Sequence, residues 1–400
     1  MKVIIASDSF KGSLSSAEVA RAASRGVLSA CRGAEVTTFT VGDGGEGTAE
    51  AITLSLGGER AICNVRDPLG NRVNAEYGIA DLPAGRTAII DVASAIGLTL
   101  VPESRRDVMK STSFGVGELL ADACSRGCRN FLIGLGGSAT CDGGAGMLQA
   151  LGAVFRDSAG IEIEACGRNL SKISEVEMSG IKSEVRDCTL SIISDVTNPL
   201  TGVQGAARVF APQKGATPKE AEALEMGMER YATVVASATG RDFRKSAGAG
   251  AAGGLGFAFL SFFNCRMLSG GDAVLDIVGF DKALVDADLV ITGEGSIDSQ
   301  TLDGKLPLCV CRRAAAHGVA TVAIAGKVAE KETLLRHGFA GIYSINSDSL
   351  PAAEAMRPEV ARSNVTRTVA AIVSRWLATH QMNVNSSNEC KLINECKGNV

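Results

Sequence analysis

Short apolar runs alternate with amphipathic segments at the beginning of the chain. Residues 2–6 form a β-branched apolar run that predicts a buried strand, and residues 35–41 predict a second one. Between them, apolar residues recur at helical spacing after Ser15, which forms a capping-box pattern with Glu18. This order predicts a β-α-β unit with parallel strands and a right-handed crossover.

The same alternation returns near the other end of the chain. The pattern predicts strands at residues 287–292, 320–325 and 340–345, with helices at 306–317 and 360–380. The middle of the chain differs, because alternating strands precede the helices there. Its predicted elements are hairpin strands at 62–65, 72–79 and 87–92 around a turn at 67–71, a helix at 113–126, and strands at 130–134 and 190–194.

This distribution predicts an α/β protein in which a doubly wound parallel sheet is interrupted by a second, inserted α/β domain. We expect the first domain to contain residues 1–65 and 286–380 and the inserted domain to contain 66–285, with the allocation of 105–150 left open. Residues 381–400 change abruptly to Asn, Ser and Cys and predict a disordered tail.

Composition excludes several classes of function. The formal charge is −4, and the aromatic residues are only 13 Phe, 3 Tyr and 1 Trp, which argues against binding to nucleic acid or an anionic membrane. The 12 cysteines are scattered without a C-x-x-C pair and no export signal is present, so we expect reduced thiols and a cytoplasmic location. Residues 246–265 lack charge, but only 255–263 are strongly apolar, which predicts a glycine-rich turn and a buried helix.

Glycine is over-represented, with 47 in 400 residues, and part of it lies beside acids in polar loops after predicted strands. Ligands of open parallel sheets bind outside the carboxyl ends of the strands, and glycine beside carboxylates suits a site for phosphate and Mg²⁺. If the strands are neighbours, these loops converge on one crevice; otherwise they are tight turns with solvated acids. The loops are DSFKGS at 8–13, GDGGEGT at 42–48, DVTNP at 195–199 and GEGSID at 293–298.

Two glycine motifs leave other functions open. Residues 134–139 fit G-x-G-x-x-A after a strand, with Asp157 about twenty residues further on, as in a nicotinamide-dependent hydroxy-acid dehydrogenase. Residues 248–253 fit G-x-G-x-x-G without a preceding strand. No Walker or protein-kinase signature is present, and the three histidines lie in or near predicted helices, which argues against histidine catalysis. A non-catalytic ligand-binding protein is a further alternative, although the acid-rich loops suit it poorly.

Long, ordered motifs are spread over roughly residues 1–378. They are DSFKGS at 8–13, GDGGEGT at 42–48, DVASAIGL at 91–98, TSFGVGELL at 112–120, GLGGSATCDGGAGMLQALG at 134–152, SDVTNPLTG at 194–202, FAPQKGAT at 210–217, GAGAAGGLGFAF at 248–259 and ITGEGSIDSQTLDGK at 291–305. Together they resemble the bacterial glycerate kinase family, the type found in the glyoxylate and galactarate pathways. The resemblance implies a flavodoxin-like domain with an inserted second α/β domain and a site in the cleft between them.

The resemblance also implies a reaction, the phosphorylation of D-glycerate by ATP with Mg²⁺ in glycerate, glyoxylate or aldarate catabolism. Transfer to the 2-hydroxyl, which gives 2-phosphoglycerate and ADP, is favoured, and a kinase that forms 3-phosphoglycerate is the alternative. The expected partners are these small molecules, with no nucleic acid and no membrane, and a homodimer is left open.

Phosphoryl transfer depends on positioning and on neutralisation of charge, so the strand-end loops supply the candidate residues. We expect Lys11, Asp43 and Asp195 to be catalytic, with Asp195 favoured as the base. The residues expected to hold Mg²⁺ are Asp43, Asp195, Glu294 and Asp298. The residues expected to bind substrate or phosphate are Ser9, Phe10, Gly44, Gly45, Glu46, Ser94, Ser113, Gly136, Gly137, Ser138, Asn198 and Lys305. Within this set residues 136–138 predict a phosphate cradle at a helix N-terminus, and Lys214 and Lys305 are reserve cations.

Overall fold

The computed structural model describes residues 1–42, 44–347 and 349–397, with residues 300, 303 and 380–397 described by their backbone alone. The chain divides into two compact units. Unit 1 combines Met1–Val41 with Gly279–Val400, and unit 2 is Gly42–Val278.

Strands and helices alternate in both units. The strands are β1 (Lys2–Ser7), β2 (Glu35–Thr40), β3 (Glu59–Arg66), β4 (Arg72–Leu82), β5 (Gly85–Asp91), β6 (Asn130–Gly134), β7 (Val154–Arg156), β8 (Glu175–Glu177), β9 (Thr189–Ile193), β10 (Asn264–Leu268), β11 (Leu289–Ile297), β12 (Ala320–Val328) and β13 (Gly341–Ser344). The α-helices are α1 (Ser16–Ala30), α2 (Thr48–Ser55), α3 (Ala93–Ile96), α4 (Phe114–Ser125), α5 (Ala145–Ala150), α6 (Ser183–Arg186), α7 (Ala206–Phe210), α8 (Pro218–Thr239), α9 (Ala251–Phe262), α10 (Gly270–Ile277), α11 (Phe280–Ala283), α12 (Leu306–Ala316), α13 (Lys331–Leu335), α14 (Ala352–Ala355) and α15 (Pro358–Lys397). Short 3₁₀ helices lie at Leu98–Leu100, Glu103–Arg105, Gly167–Lys172, Pro212–Lys214 and Ser299–Asp303.

The sheet of unit 1 has five parallel strands in the order β2-β1-β11-β12-β13. Numbered within the unit, this is the 2-1-3-4-5 order of flavodoxin-like folds. Apolar side chains of β1, β11 and β12 pack against α1 and α15 on one face, and others from β11 and β12 pack against α12 on the opposite face. The doubly wound, flavodoxin-like sheet expected from the sequence is confirmed.

Helix α1 begins at the predicted capping box. The Glu18 N–H donates to Ser15 Oγ (3.3 Å), and the Ser15 N–H donates to the Glu18 carboxylate (3.0 Å). That backbone N–H, together with the Ser15 hydroxyl and Arg362, lowers the pKa of Glu18. Arg362 lies on α15, and its guanidinium is 2.9 Å from the same carboxylate, so the start of α1 is tied to the last helix of unit 1.

Unit 2 contains a six-stranded mixed sheet in the order β3-β4-β5-β6-β9-β10. Strands β3, β4 and β5 are antiparallel, as the alternating pattern predicts, and β5, β6, β9 and β10 are parallel. The predicted turn closes between β3 and β4, where the Asp67 N–H donates to the Asn71 carbonyl (2.7 Å). The core includes the rings of Phe155, Tyr231 and Phe257. The Tyr231 ring centroid lies 6.2 Å from that of Phe155 and 5.8 Å from that of Phe257. This is the expected second α/β domain.

The boundaries of the two units differ from those expected at 65/66 and 285/286. Residues 42–65 belong to unit 2, because β3 pairs with β4 along its whole length from Glu59 to Arg66. Residues 279–285 belong to unit 1, where the Phe280 ring contacts the Phe39 ring edge to face. The segment 105–150, left open by the sequence, lies in unit 2.

Over residues 381–397 the last helix differs from the prediction of a disordered tail, and for residues 398–400 disorder stays a prediction. The backbone of α15 is helical from Pro358 to Lys397, and residues 398–400 lie outside the described part of the chain. The sequence offers a reason, since no glycine or further proline interrupts the segment before Gly398.

The uncharged segment 246–265 forms a turn and the buried helix α9, as expected. Ala252, Gly253 and Gly254 have positive φ and bend its first turn. No helix in the described part of the chain combines the length and the apolar character needed to cross a membrane. The cysteines from Cys31 to Cys311 are free thiols.

Candidate active site

A cavity of about 800 Å³ lies at the carboxyl edge of the unit 1 sheet. Its walls come from the ends of β11, β12 and β13 and from the segments that follow β1 and β13. This is the edge at which open α/β sheets bind their ligands. The lining residues that matter below are Asp8, Ser9, Phe10, Lys11, Glu294, Lys305, Lys327, Asn346, Leu350 and Met356.

The loop after β1 folds around Asp8 and Phe10. Asp8 Oδ1 accepts a hydrogen bond from the Ser9 N–H (2.6 Å). The Phe10 N–H donates to the Leu14 carbonyl (2.8 Å), and the Phe10 ring is buried in the core of unit 1. Phe10 therefore anchors the loop through its ring, while Ser9 and Lys11 lie on the cavity wall.

The structure corrects the loop predicted at residues 293–298. Strand β11 continues to Ile297, and Glu294 is paired with Ala325 of β12. A Cβ on Gly293 would lie 2.3 Å from the Ile324 carbonyl oxygen. Glycine at this position therefore permits close approach of two strands and does not mark a turn.

Glu294 and Lys305 form a pair on the cavity wall. Glu294 is 9% exposed, and its Oε1 accepts a hydrogen bond from the Thr301 hydroxyl (2.7 Å). The Lys305 ammonium lies 3.6 Å from Glu294 Oε2. The strand end thus presents a carboxylate and a cation whose positions depend on each other.

Among the described residues, the lining of this cavity contains more lysines than carboxylates. Lys11, Lys305 and Lys327 stand against Asp8 and Glu294 in number, and this described part of the lining suits a polyanionic ligand. Sequence reasoning missed Asp8 and Lys327. Asp8 could have been found because it opens the DSFKGS loop, and Lys327 because it lies two residues after a predicted buried strand.

Two of the four expected metal ligands, Asp195 and Asp298, are not part of this lining. Asp298 follows β11, and its N–H donates to Thr301 Oγ1 (3.3 Å). Asp43 lies outside the described residues.

The carboxyl edge of the unit 2 sheet is built differently, because the carboxylate that ends β5 binds backbone groups. Asp91 ends β5 and accepts hydrogen bonds from the Gly47 N–H (2.8 Å) and the Ala49 N–H (3.1 Å) at the start of α2. A carboxylate at a helix N-terminus is stabilising. Asp91, which sequence reasoning missed, therefore fixes the end of the loop that carries Gly44 and Glu46.

Residues 136–138 pack on that loop and do not begin a helix. The Gly136 N–H donates to the Gly44 carbonyl (3.0 Å), and a Cβ on Gly136 would lie 2.6 Å from Gly45 Cα. The next helix, α5, begins only at Ala145. The expected cradle at a helix N-terminus is therefore corrected: these glycines allow two loops to touch, and the Gly136 amide is already used by the protein.

The same geometry removes the basis for the dehydrogenase alternative. A dinucleotide fingerprint needs a helix at the glycine loop and an acid that reaches the ribose. Asp157 instead closes a turn, with its Oδ1 accepting from the N–H groups of Ala159 and Ile161 (2.9 and 3.0 Å). In the G-x-G-x-x-G motif at 248–253, a Cβ on Gly253 would lie 1.9 Å from the Thr140 carbonyl oxygen. That glycine therefore permits close packing of the backbone.

Ser113 serves the interior of unit 2, contrary to its expected role in binding substrate. It is fully buried, and its hydroxyl donates to Asp142 (2.8 Å) and accepts from the Met147 N–H (2.9 Å). Asp142 also accepts from the N–H groups of Gly144 and Gly146 (3.2 and 3.1 Å). Burial raises the pKa of Asp142, while these hydrogen bonds act in the opposite direction.

Lys214, expected as a reserve cation, is buried beneath residues 138–142. Its ammonium donates to Ser138 Oγ (3.0 Å) and to the Thr140 carbonyl (2.7 Å). Burial lowers the pKa of Lys214, and the nearby Cys141 and Asp142 act in the opposite direction. Lys214 therefore orients Ser138 from below.

Asp195 and Asn198 lie in the loop after β9. Asp195 Oδ1 accepts a hydrogen bond from the Gly270 N–H (2.6 Å) at the start of α10, and the residue is exposed. The Asn198 side chain donates to the Gln204 carbonyl (2.9 Å), and the backbone carbonyl of Asn198 accepts from the Gly250 N–H (2.9 Å). Asn198 thus holds the loop that Asp195 begins.

A second cavity, of about 350 Å³, lies within unit 2. Its wall includes two expected residues, Glu46 and Ser94, together with Asp91. The Ser94 hydroxyl is buried and has no hydrogen-bond partner among the described residues.

Comparison with known proteins agrees with this architecture. The profile of the glycerate kinase family matches residues 3–377 of the chain. A glycerate kinase of Bacillus subtilis is 43% identical over 356 residues, which are 89% of this chain and 93% of that protein. The chain belongs to the glycerate kinase family.

Two further relatives of the glycerate kinase family extend the comparison. A glycerate 2-kinase of Escherichia coli is 41% identical over 346 residues, which are 86% of this chain and 90% of that protein. The crystal structure of a protein assigned as glycerate kinase 2 of Salmonella typhimurium matches with a TM-score of 0.84 at 41% identity and covers 95% of this chain and 99% of that one. The family resemblance inferred from the motifs is confirmed.

Within this member of the glycerate kinase family, the expected site residues lie on the edges of two sheets and not of one. Strand β9 belongs to the sheet of unit 2, so the four loops do not follow neighbouring strands of a single sheet. The unit 1 edge carries Ser9, Phe10, Lys11, Glu294 and Lys305. The unit 2 edge carries Gly44, Gly45, Glu46, Ser94, Gly136, Gly137, Ser138, Asp195 and Asn198.

Proposed function

We propose that the protein transfers the γ-phosphoryl group of ATP to the 2-hydroxyl of D-glycerate, which gives 2-phosphoglycerate and ADP. The observation that carries this proposal is the group of three lysines and two carboxylates at the carboxyl edge of a flavodoxin-like sheet, in a member of the glycerate kinase family. The 41% identity to a protein named glycerate 2-kinase supports the 2-hydroxyl as the acceptor.

Phosphoryl transfer demands positioning and neutralisation of charge more than covalent chemistry. In this proposal, Lys11 and Lys305 neutralise charge on the phosphoryl oxygens. Glu294 keeps the Lys305 ammonium on the cavity wall through their 3.6 Å contact, and Thr301 keeps Glu294 in place. The buried carboxylate thereby limits the freedom of the cation that meets the substrate.

Magnesium accompanies ATP in this proposal. Among the described residues no group of three or more His, Cys, Asp or Glu side chains is placed to hold a metal ion. Mg²⁺ commonly takes only one or two carboxylates together with water and phosphate oxygens, and Asp8 and Glu294 on the cavity wall fit that requirement. When bound, Mg²⁺ supplies neutralisation of the phosphate charge. Ligation by Asp43, Asp195 or Asp298 stays a prediction.

Asp195 is the proposed acceptor of the proton that the attacking hydroxyl loses. Its carboxylate is exposed, and the Gly270 N–H at 2.6 Å fixes its orientation. A general base must reach the hydroxyl at hydrogen-bond distance in the substrate complex. Asp43 is the alternative for the same role. A cytoplasmic location and a homodimer also stay predictions.

The test couples the product to enolase, which accepts only the 2-phospho isomer, with phosphoglycerate mutase left out. Rapid formation of phosphoenolpyruvate from D-glycerate and ATP is the expected result. A signal that appears only after mutase is added would identify the 3-hydroxyl as the acceptor. Absence of ADP formation with D-glycerate would reject the proposed function itself.

A further inference from the structure

We infer that the cavity of unit 1 is the nucleotide subsite, in which a purine ring packs on Leu350 and Met356 and the phosphates lie on lysines at the strand ends. The inference rests on the proposed function and adds the location and the recognition chemistry of one of its two substrates. The cavity volume of about 800 Å³ lies within the range of small-molecule sites, roughly 300–1,000 Å³.

The position of the cavity follows from the strand order. β1 and β11 are neighbours, but the chain leaves β1 toward β2 on one side and leaves β11 toward β12 on the other. Such a topological switch point opens a crevice, because the loops on its two sides part. The loop that carries Asp8 and Lys11 borders this crevice, and so does the end of β11 at Glu294.

The cationic part of the wall comes from three separate segments. Lys11 follows β1, Lys305 precedes α12, and Lys327 lies at the end of β12. The exposed Lys327 ammonium makes no hydrogen bond or ion pair with any described residue of the chain. The N-terminus of α12 adds its positive end beside Lys305. This combination of positive charges suits the chain of phosphates in a nucleoside triphosphate.

The apolar part of the wall comes from the segment after β13. Leu350 and Met356 line the cavity, and Met356 is 48% exposed, which is high for a large apolar residue. Its methyl group lies 2.9 Å from the point where a Cβ on Gly12 would be, so this segment reaches over the loop after β1. A flexible thioether adapts well to a flat ring. A bound base would cover the apolar surface that Met356 otherwise leaves in water.

Ser344, Asn346 and Ser347 are polar residues of this wall, and their side chains already bind other groups of the protein. The Asn346 amide nitrogen donates to the Gly326 carbonyl (2.9 Å), and its amide oxygen accepts from the Asn364 side chain (3.0 Å). Asn346 therefore stiffens the wall, and contact with the base is chiefly apolar. We expect the site to discriminate weakly between adenine and guanine, because apolar contacts do not distinguish the polar edges of the two bases.

The test measures binding without turnover, by isothermal titration calorimetry in EDTA and without glycerate. ATP and inorganic tripolyphosphate are the two probes. Lys327→Ala should weaken both probes about tenfold or more, since it removes a charge-assisted contact to phosphate. Met356→Gln should weaken ATP severalfold and leave tripolyphosphate unchanged. Lys331→Ala is the matched control, because that ammonium rests on the Tyr343 ring, 5.6 Å from its centroid, outside the lining.

Unchanged ATP affinity in both Lys327→Ala and Met356→Gln would overturn the inference. A separate titration with D-glycerate alone would also overturn it if these variants lost glycerate affinity while ATP affinity stayed intact, because the cavity would then be the acceptor subsite. The enolase-coupled assay of the unaltered protein is scored separately. If the unaltered protein turns over glycerate but neither variant changes ATP affinity, only the assignment of the subsite is rejected. If ATP binds in this cavity but glycerate is not turned over, only the proposed function is rejected.

Discussion

The carboxyl edges of the two sheets carry the same residue types and use them differently. In unit 1, Lys11, Lys327 and Glu294 line an open cavity. In unit 2, Asp91 accepts from the backbone at the start of α2, and Lys214 is buried against a hydroxyl and a carbonyl. Glycine and charge after a strand are therefore an ambiguous signal. Asp91 and Lys214 are each held by at least two groups of the protein, whereas the Lys327 side chain lies exposed on the cavity wall.

The largest effect expected from this difference is on Asp142, the most enclosed charge of unit 2. Asp142→Ala should lower the free energy of unfolding by about 3–5 kcal/mol, since it leaves the buried donors of Ser113, Gly144 and Gly146 without an acceptor. Denaturant unfolding measures the loss. Asp157→Ala is the control, because that carboxylate also accepts from two backbone N–H groups but at an exposed turn. Equal losses in the two variants would remove the structural role assigned to Asp142.

Asp195 offers the next largest effect and the sharpest way to break the comparison. Asp195→Asn keeps an oxygen that can accept from Gly270 but removes the charge, so kcat should fall by a factor of about 10² or more with an unchanged Tm if this carboxylate is the base. Asp195→Ala also removes the acceptor of the Gly270 N–H and should lower stability by about 1 kcal/mol. Steady-state kinetics and thermal unfolding of the two variants separate these effects. Near-normal turnover of Asp195→Asn would assign this residue to architecture alone and would turn attention to Asp43.

Lys11 and Lys214 allow the comparison to be sharpened with one substitution in each unit. Lys11→Met should lower kcat about 10²-fold without changing the unfolding free energy.

For Lys214, burial lowers the pKa of the ammonium in the folded state. The unfolded chain therefore binds more protons than the folded chain at pH values between that pKa and the ordinary one. The stability of the unaltered protein relative to Lys214→Met should therefore rise as pH increases through that window. Unfolding curves at several alkaline pH values measure it, and a constant or falling difference would contradict the buried position.

The smallest effect is expected at the end of α15. The family profile ends at residue 377, and the α15 residues that pack on α1, such as Val365 and Val369, precede it. Removing residues 382–400 should leave kcat and Tm essentially unchanged. Thermal unfolding and the enolase-coupled assay check this, and a fall of several degrees in Tm would show that the segment packs on the body of the protein.

Much of the fold could be predicted because it depends on local patterns. Apolar runs located β1, β6 and β9 to within two residues, and the capping box located the start of α1. The extension of β11 through Glu294 was missed, because glycine beside an acid is typical of turns and only pairing with β12 shows otherwise. The boundary at residue 41 was missed for the same reason: an alternating strand such as β3 does not reveal which sheet it joins.

The site was predictable by residue type but not by surroundings. Lys11, Glu294 and Lys305 were expected in the site and line one cavity. Ser113 was placed in the site wrongly, because a sequence does not show that its hydroxyl is fully buried against Asp142. The glycines at 136 and 253 had the spacing of nucleotide motifs, whereas their contacts show that the spacing serves close packing between loops.

The interruption of unit 1 by unit 2 has a consequence for folding during synthesis on the ribosome. β1 pairs with β2 on one side and with β11 on the other, and all of unit 2 must be synthesised between them. At about 5–20 residues per second, that delay is on the order of tens of seconds. During this time the apolar strand β1 has an unpaired edge, whereas unit 2 has every partner it needs as soon as residue 278 has emerged. Unit 2 should therefore gain structure first, and the nascent β1-α1-β2 segment is where the chain is most exposed to aggregation.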